Sequence, residues 1–406
     1  MTNRQSKTLV IIDDQFEKIE GHLYEYNKST CRIFRGHGFE TVIYANAGIS
    51  RPLQEELNAR PWFQFTANSR LRGIPLLGPV LYRLGFWKQY RRQMTALLKQ
   101  LAEQYENCIV FIPNVYWYTI LPVMKSLRST RIPAGLLYRV SIYDTIQIPA
   151  VMKPLILPLI KHAVKLVKHC GHIHYYSDSD VIAREWEAAF HQEMDVLPIP
   201  HLTPHHIAEP HAAAGNKLRM YLPGSMRIEK GARLLTEGME LLAARYPELL
   251  DRIILAVQFT GSDATLMQYR DRLAALPIEN NFLGNLSTEA YNHQVQSADV
   301  ILIPYQASEG YRARTSGILA EAIAAEKPFI TTDGTWMAVQ AQKYDTGIVI
   351  GETPDAFAES IVKLVQHYEH FATLAKTAAD KWLSFHSKDN FFRLLSKIYD
   401  NAPAGH

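Results

Sequence analysis

Two cationic residues stand three positions apart in the glycine turn of the segment LPGSMRIEKG (222–231). The apolar residues before Gly224 predict a strand, and the residues after Lys230 predict a helix. Glycine lets the backbone approach a ligand closely, and the unpaired amides at a helix start favour anions. Arg227 and Lys230 are therefore placed to hold a diphosphate. The alternative is that both are solvated cations beside an ordinary turn.

A second segment, DVILIPYQASEGYRARTSGILAEAIAAEKPFITTDG (299–334), has the same order of strand, glycine-containing loop and helix. Arg312, Arg314 and Ser316 stand where the helix begins, and guanidinium groups beside helix amides suit phosphate oxygens. Glu321 follows on an otherwise apolar helix, where a carboxylate needs a partner. Hydroxyls of a sugar or ribose would provide one. The alternative is a nearby arginine that pairs with Glu321 and stabilises the fold.

These segments belong to a regular alternation of short apolar runs and helix-period stretches along the 406 residues. This alternation is typical of α/β domains with parallel sheets. In the first half, the pattern predicts strands at 8–14, 41–47, 108–114, 134–141 and 172–177. In the second half, it predicts strands at 218–224, 252–261, 281–287, 299–305, 328–334 and 347–351, followed by a long helical tail.

The stretch 199–216 is rich in Pro and His and has no periodicity, which predicts a linker. We therefore expect one domain at 1–198, a second at 217–385, and a C-terminal helix and tail at 386–406. Ligands of parallel α/β sheets bind beyond the carboxyl ends of the strands. Two such domains in succession predict a ligand cleft between them.

The composition is that of an ordinary globular protein, with 47% apolar and 20% charged residues. A disordered chain is excluded, because such chains bury too little apolar surface to offset the entropy lost on ordering. The net charge of +3 hides an asymmetry. Residues 1–200 hold 24 Lys and Arg against 17 Asp and Glu, whereas residues 201–406 hold 19 against 23. A basic first half and an acidic second half indicate two domains with different partners.

The cysteines and the hydropathy of the chain bear on its compartment. Cys31, Cys108 and Cys170 lack the paired spacing of a disulfide framework or a zinc site, so we expect three reduced thiols. The first apolar run is only about five residues long, too short for a signal peptide. No run reaches the roughly 18 apolar residues that span a bilayer. We therefore expect a cytoplasmic protein.

Three stretches stand in a characteristic order within residues 218–352: LPGSMRIEKGARLL, FLGNLSTEAYNHQVQSADVILIPY and YRARTSGILAEAIAAEKPFI. Together they resemble the nucleotide-binding domain of GT-B glycosyltransferases, above all the large retaining group called family 4, or glycosyl transferases group 1. Residues 21–47 resemble the opening βαβ unit of such enzymes. The resemblance implies an α/β fold of two Rossmann-like domains facing across a cleft, and we expect the C-terminal helix to pack back on the first domain. It also implies transfer of a sugar from a nucleotide diphosphate sugar to a hydroxyl acceptor.

The resemblance implies roles for single residues in the second domain. Arg227 and Lys230 match the cations that hold the donor pyrophosphate, and Glu321 matches the second glutamate of the family's E-x7-E pattern, which contacts the ribose. Ala313 stands in place of the first glutamate, so we expect Glu309 to replace it or the YRARTSG loop to contact the sugar differently. The expected donor-binding residues are Gly224, Arg227, Lys230, Glu309, Arg312, Arg314, Ser316, Gly317 and Glu321.

The family's histidine in the first domain is not evident after the strand near 134–140, where YRVSIYD offers Arg139, Ser141 and Asp144. Its loss does not exclude activity, because in a retaining enzyme the departing phosphate can assist the incoming hydroxyl. Besides Arg227 and Lys230, the candidate catalytic residues are Asp144 and His22, which follows Gly21 in the first loop. The alternative for His22 is a structural role at a helix start. No essential metal or other cofactor is expected; the Asp178-Ser179-Asp180 sequence is interpreted as helix capping.

Positive charge is concentrated in the first half. No Asp or Glu occurs from Leu57 to Ala102, where cations alternate with Leu, Phe, Trp and Tyr, and Lys161, Lys165 and Lys168 repeat at helical spacing. Basic amphipathic segments with aromatic residues favour peripheral attachment to an anionic membrane. Such attachment would suit a lipid-linked glycan as acceptor and a role in bacterial-type surface polysaccharide or glycolipid assembly. Solvated lysines on packed helices are the alternative; nucleic-acid binding is not expected, because no recognised module is present.

Two further functions remain open on the same architecture. One is a sugar-nucleotide epimerase, which would need acid and base groups that the sequence does not place convincingly. The other is a catalytically silent subunit that binds nucleotide sugar or organises a glycan-assembly complex. The departures at Ala313 and near Arg139 keep this second alternative open.

Overall fold

The computed structural model describes residues 7–18, 22–64, 78–116, 119–141, 171–201, 217–307 and 310–400, and five isolated positions between 154 and 165. The chain forms two compact units. Unit 1 comprises Met1–His201 and His386–His406, and unit 2 comprises Leu202–Phe385. From residue 202 onward, the predicted linker (199–216) lies outside the described residues.

Unit 1 is built on a seven-stranded sheet in the order β3-β2-β1-β4-β5-β6-β7, in which every pairing is parallel. The interior strand with the sequence TLVIID is buried along its whole length, as expected for a strand covered on both faces by helices. The strands are β1 (Thr8–Asp13), β2 (Glu40–Asn46), β3 (Ala59–Phe63), β4 (Cys108–Ile112), β5 (Ala134–Tyr138), β6 (Ile173–Ser177) and β7 (Asp195–Val196).

The helices of unit 1 come from both ends of the chain. They are α1 (His22–Gly36), α2 (Arg51–Leu57), α3 (Gly78–Gln104), α4 (Ile120–Thr130) and α5 (Asp180–Phe190), and, after unit 2, α13 (Lys388–Leu395) and α14 (Lys397–Asp400). Phe391, Leu395 and Ile398 of the last two helices belong to the core of unit 1. A Cβ atom on Gly135 would lie 2.3 Å from Cδ1 of Ile398, so the glycine makes room for this returning helix. The expectation that the C-terminal helix packs back on the first domain is confirmed.

Unit 2 is built on a six-stranded sheet in the order β10-β9-β8-β11-β12-β13, again with parallel pairings. Its strands are β8 (Leu218–Leu222), β9 (Ile253–Gln258), β10 (Glu279–Leu283), β11 (Val300–Ile303), β12 (Phe329–Thr332) and β13 (Ile348–Ile350). Its helices are α6 (Ala232–Arg245), a 3-10 helix (Pro247–Arg252), α7 (Ala264–Ala274), α8 (Thr288–Ser297), α9 (Gly317–Ala324), α10 (Trp336–Tyr344), α11 (Pro354–Gln366) and α12 (Tyr368–Phe385).

The predicted fold class, two α/β domains with parallel sheets, is confirmed. The predicted strands are all present, although the one expected at 281–287 spans Glu279–Leu283. The sequence pattern misses β3 and β7, the two edge strands of the unit 1 sheet. An edge strand is covered less completely, so the sequence ARPWF of β3 lacks the continuous apolar run of a central strand.

Candidate active site

The first predicted motif forms a turn at the carboxyl end of β8. Gly224 has φ +70° and its amide donates to Oε1 of Gln258 at 2.7 Å. Gly231, with φ +83°, immediately precedes α6, and a Cβ atom there would lie 1.9 Å from the carbonyl oxygen of Pro304. Positive φ and this close approach both require glycine, so the loop between β8 and α6 is held directly against the end of β11.

Lys230 extends its ammonium group back to the start of this turn. Its Nζ lies 2.7 Å from the position of a Cβ atom on Gly224, and only 8% of the residue is exposed. The pKa of the ammonium is lowered to about 8, chiefly by burial and then by the positive charge of Arg227, with Arg314 acting in the same direction. A buried cation with further cations nearby is stabilised by an anion. The turn is therefore electrostatically prepared for a negatively charged ligand.

Residues of both motifs surround the buried side chain of Tyr305, which follows β11. The Nζ atom of Lys230 lies 5.6 Å from the Tyr305 ring centroid. The pKa of the Tyr305 hydroxyl is raised chiefly by burial, and the charges of Arg227, Glu321 and Arg314 also act on it. Arg227 is exposed, and its one described ion pair is a 3.4 Å contact with Glu229. Because surface ion pairs are weak, a ligand can displace Glu229 from Arg227. The structure thus brings Arg227, Lys230 and Arg314 together.

The start of α9 lies beside the Gly224 turn, because Cδ1 of Ile318 is 3.1 Å from the Gly224 Cβ position. Ser316 is the N-cap, and its hydroxyl accepts from the Leu319 amide at 3.3 Å. Gly317 is the first helical residue, so the predicted donor-binding residues Ser316 and Gly317 are both at the helix N-terminus. Arg312 is exposed in the preceding loop.

Glu321 is half-buried on α9, and its partner is a tyrosine rather than an arginine. Its Oε2 accepts from the hydroxyl of Tyr291 on α8 at 2.6 Å. Burial raises the pKa of the Glu321 carboxyl, and the hydrogen bond from Tyr291 opposes that shift. Among the described residues, Oε1 accepts no hydrogen bond. The carboxylate can therefore accept one from a ligand hydroxyl.

Three predicted site residues receive no side-chain description. Glu309 and Asp144 lie outside the described residues. The backbone of His22 begins α1, but the structure does not describe its side chain. Their roles remain predictions. Ala313, at the position of the family's first glutamate, is buried with 3% exposure.

Unit 1 carries a polar cluster at the carboxyl end of its sheet that sequence reasoning missed. Asp13 ends β1, and its Oδ2 accepts from Nδ2 of Asn27 on α1 at 2.9 Å and from Nδ2 of Asn114 after β4 at 3.4 Å. Asp14 follows with 2% exposure, and its Oδ1 accepts from the Tyr90 hydroxyl of α3 at 3.4 Å. Its Oδ2 is buried without a hydrogen-bond partner. The signal that could have found this cluster is polar residues placed directly after buried strands.

Burial and neighbouring charge favour the protonated forms of the two aspartates in this cluster. The pKa of Asp14 is raised to about 7, chiefly by burial and then by the negative charge of Asp13. Burial also raises the pKa of Asp13, against the hydrogen bonds from the two asparagines. At neutral pH the pair therefore lies close to the loss or gain of one proton, as in other adjacent buried carboxylates.

Arg139, after β5, joins the same edge of the sheet. Its Nε lies 3.2 Å from Oδ2 of Asp178, which follows β6, and its guanidinium group lies 4.1 Å from the ring centroid of Tyr26. It also acts electrostatically on Asp13. The capping interpretation of residues 178–180 is confirmed for Ser179, the N-cap of α5, whose hydroxyl accepts from the Ile182 amide. Asp178 neutralises Arg139.

In the part of the chain that the structure describes, no group of three or more His, Cys, Asp or Glu side chains could hold a metal ion. No helix within the described ranges has the length and apolar character needed to cross a bilayer.

Residues 219–367, which lie in unit 2, match the family Glycosyl transferases group 1. No curated protein matches the chain. A glycosyltransferase from Rickettsia africae has a similar fold, with a TM-score of 0.68, 14% identity, and coverage of 99% of this chain and 100% of that one. The N-terminal domain of trehalose-6-phosphate phosphatase from Candida albicans has a TM-score of 0.68, 14% identity and coverage of 99% and 98%. An E. coli structure, trehalose-6-phosphate bound with UDP-2-fluoro glucose, has a TM-score of 0.64, 12% identity and coverage of 97% and 99%.

The predicted resemblance is thereby confirmed. Residues 219–367 form a glycosyl transferases group 1 domain, and the two parallel-sheet units are those of the GT-B fold. The matched domain and the fold support a nucleotide-sugar-dependent glycosyltransferase.

Proposed function

We propose that this glycosyltransferase transfers the sugar of a nucleotide diphosphate sugar to a hydroxyl acceptor with retention of configuration and without an essential metal. The observation that supports the proposal most strongly is the convergence of Lys230, Arg227 and Arg314 at the Gly224 turn beside the start of α9. Of these cations, only Arg227 forms a described ion pair, with Glu229, so a diphosphate would neutralise the remaining positive charge. The helix amides add hydrogen-bond donors.

The proposed chemistry follows from where charge develops. As the bond from the sugar to the diphosphate breaks, negative charge builds on the leaving oxygen, and Lys230 lies in a water-poor position suited to stabilising it. Binding of the diphosphate raises the pKa of Lys230 from about 8, which keeps the ammonium protonated during the reaction. Arg227 and Arg314 supply further positive charge, which replaces the role that a divalent metal has in other transferases.

Glu321 orients the nucleoside in this proposal. Its Oε1 accepts from a ribose hydroxyl, while Tyr291 holds Oε2 and so sets the direction of the carboxylate. Glu309 or backbone atoms of the 312–317 loop contact the sugar, since Ala313 offers no polar group.

The acceptor hydroxyl binds to unit 1, at the cluster formed by Asp13, Asp14 and Arg139. Asp14 has one buried carboxylate oxygen without a partner, and the proposal requires that the incoming hydroxyl reaches this oxygen when the acceptor binds. Its raised pKa lets it take up a proton near neutral pH, in support of the departing phosphate. Asp144 and His22 are further candidates for contacts with the acceptor.

We place the reaction in the assembly of a bacterial-type surface polysaccharide or glycolipid, with a lipid-linked glycan as acceptor. The supporting observation is the positive charge of unit 1, including Lys161 and Lys165, which are both exposed; Lys168 lies outside the described residues. The enzyme would then act in the cytoplasm, at the inner face of the membrane, through attraction to anionic lipids.

The first experiment is a thermal-shift screen of the full chain against UDP, GDP, ADP, CMP and dTDP sugars. A donor at 100 times its dissociation constant raises the unfolding free energy by about 2.7 kcal/mol. The selected donor is then tested for hydrolysis and transfer with EDTA present, and NMR of the product gives the anomeric configuration. Turnover that requires a divalent cation, or an inverted product, contradicts the corresponding part of the proposal.

The same measurements separate the alternative functions. A changed nucleotide sugar formed without any acceptor identifies an epimerase. Donor binding without turnover identifies a non-catalytic subunit, an outcome that the apolar Ala313 in place of a glutamate would suit.

A further inference from the structure

A basic groove lies between α3 and α4 of unit 1, two helices that pack against each other. The cavity has a volume of about 620 Å³. Its lining includes one tryptophan and five cations: Trp87, Lys88, Arg91, Arg92, Lys99 and Lys125. None of these residues belongs to the proposed donor or acceptor site.

The spacing on α3 explains how the cations come to share one groove. Lys88 and Arg92 are four residues apart, and Arg91 and Lys99 are eight apart, so all four project from one side of the helix. Lys125 approaches from α4. Five like charges on facing helices repel one another, and this repulsion is relieved when an anion binds.

No described carboxylate neutralises these charges. Glu103, near the end of α3, is the one acidic residue in Gly78–Gln104, and the sequence of Ile120–Thr130 contains none. Among the described residues, none of the five cations forms an ion pair. An ordinary solvated surface mixes both signs, whereas this groove carries one sign only.

The groove also has an apolar side. Trp87 and Leu121 line it and are half-buried, and Pro122 is buried beneath. An anion with no apolar part would leave this surface unused. Tryptophan beside lysine and arginine is the combination found where proteins meet the headgroup region of a bilayer.

We propose that this groove binds the phosphate headgroup of an anionic phospholipid, with Trp87 in contact with the acyl-chain boundary. The cations supply the attraction to the phosphate, and the tryptophan distinguishes a lipid from a small soluble anion. The inference rests on the proposed function only in its biological setting, a lipid-linked acceptor. Lipid binding itself is measured without any sugar transfer.

The test is co-sedimentation of the full chain with phosphatidylcholine vesicles, with and without phosphatidylglycerol. The triple variant Lys88→Gln, Arg91→Gln and Lys125→Gln should lower the partition coefficient on anionic vesicles on the order of 100-fold, since each cation contributes roughly a factor of five at a charged surface. The matched control, Lys363→Gln, Lys376→Gln and Lys381→Gln, removes three exposed charges from helices of unit 2 and should lower it far less.

The variants also separate the possible sources of phosphate. Trp87→Ala should weaken binding to anionic vesicles and leave any binding of inorganic phosphate unchanged. Inorganic phosphate that binds the groove with no preference of the protein for anionic vesicles would overturn the lipid assignment. Equal losses in the triple variant and its control would also overturn it, because they would show general charge attraction without a site.

Failure of this inference is distinguishable from failure of the proposed function. Donor hydrolysis is measured in solution without vesicles, where the triple variant should retain the wild-type rate because none of its residues contacts the donor. Circular dichroism melts verify that the variants are folded. An active enzyme without vesicle binding overturns the groove assignment alone.

Discussion

The ammonium group of Lys230 lies 2.7 Å from the point where a Cβ atom on Gly224 would stand. The glycine therefore does two things at once: it adopts φ +70° and it leaves the space that the lysine head occupies. The Gly224 amide is held by Gln258 at 2.7 Å, so the turn cannot move away from an added side chain without losing this bond.

Gly224→Ala should weaken donor binding, because the methyl group displaces the Lys230 ammonium from the phosphate position. The positive φ should also cost about 1–2 kcal/mol of unfolding free energy. Calorimetric titration with the selected nucleotide sugar and urea unfolding measure the two effects. Gly284→Ala is the matched control, because its φ is not positive and its Cβ position is open. Wild-type donor affinity in Gly224→Ala would contradict the role of the turn.

Lys230→Ala should lower kcat/KM for the donor on the order of 10²–10³-fold, since it removes charge stabilisation from the leaving diphosphate. Lys363→Ala, on the exposed face of α11, should leave the rate unchanged. Steady-state hydrolysis and transfer assays measure both. An unchanged rate in Lys230→Ala would exclude the proposed role.

The pH dependence of kcat/KM should show the titration of Lys230 in the free enzyme. Its pKa of about 8 predicts a fall in kcat/KM as the pH rises through about 8, because the uncharged amine no longer attracts the diphosphate. Lys230→Arg should remove this descending limb, whatever its maximal rate, since guanidinium stays charged. A limb that persists in the arginine variant would assign the titration to another group.

Tyr291→Phe should raise the KM for the donor more than it lowers kcat. Loss of the 2.6 Å hydrogen bond leaves the Glu321 carboxylate without its described partner, which raises the pKa of Glu321 further. The expected loss of unfolding free energy is about 1–3 kcal/mol. Tyr246→Phe is the control, as a half-buried tyrosine of the same unit with no described hydrogen bond from its hydroxyl. Equal effects in the two variants would mean that the hydrogen bond from Tyr291 does not orient Glu321 for donor binding.

Asp14→Asn should change how stability depends on pH. Because the folded pKa of Asp14, about 7, lies above its unfolded value, this group stabilises the fold below the unfolded pKa and loses that contribution as the pH rises through 7. The difference in unfolding free energy, wild type minus variant, should therefore decrease from pH 5 to pH 8. Urea unfolding across this range measures it, with exposed Asp251→Asn as a control that shows no such trend.

The same variant tests the proposed acceptor site. Asp14→Asn should lower transfer to an acceptor more than hydrolysis of the donor, because the proposal assigns this carboxylate to the acceptor hydroxyl and places the donor-binding residues in unit 2. Equal losses in both reactions would mean that Asp14 maintains the fold and does not contact the acceptor.

The local sequence pattern was sufficient to predict the parallel α/β class and the turn at Gly224. The run TLVIID is apolar enough to be a fully buried strand, and LPGSMRIEKG places its glycine and cations within ten residues. Strand propensity, glycine conformation and cation spacing are all properties of neighbours along the chain. The edge strands β3 and β7 were missed because their few residues carry little of that pattern.

Tertiary structure alone decided which distant residues meet. Tyr291 and Glu321 are 30 positions apart, and Asn114 reaches Asp13 across 101 positions. No periodicity encodes such pairings; they arise because parallel strands bring their carboxyl ends to one edge of a sheet. The pKa values near 8 for Lys230 and near 7 for Asp14 follow from burial, which exists only after folding. The sequence by itself determined the sheets and the residue types at their ends, and packing determined the partners and charge states of those residues.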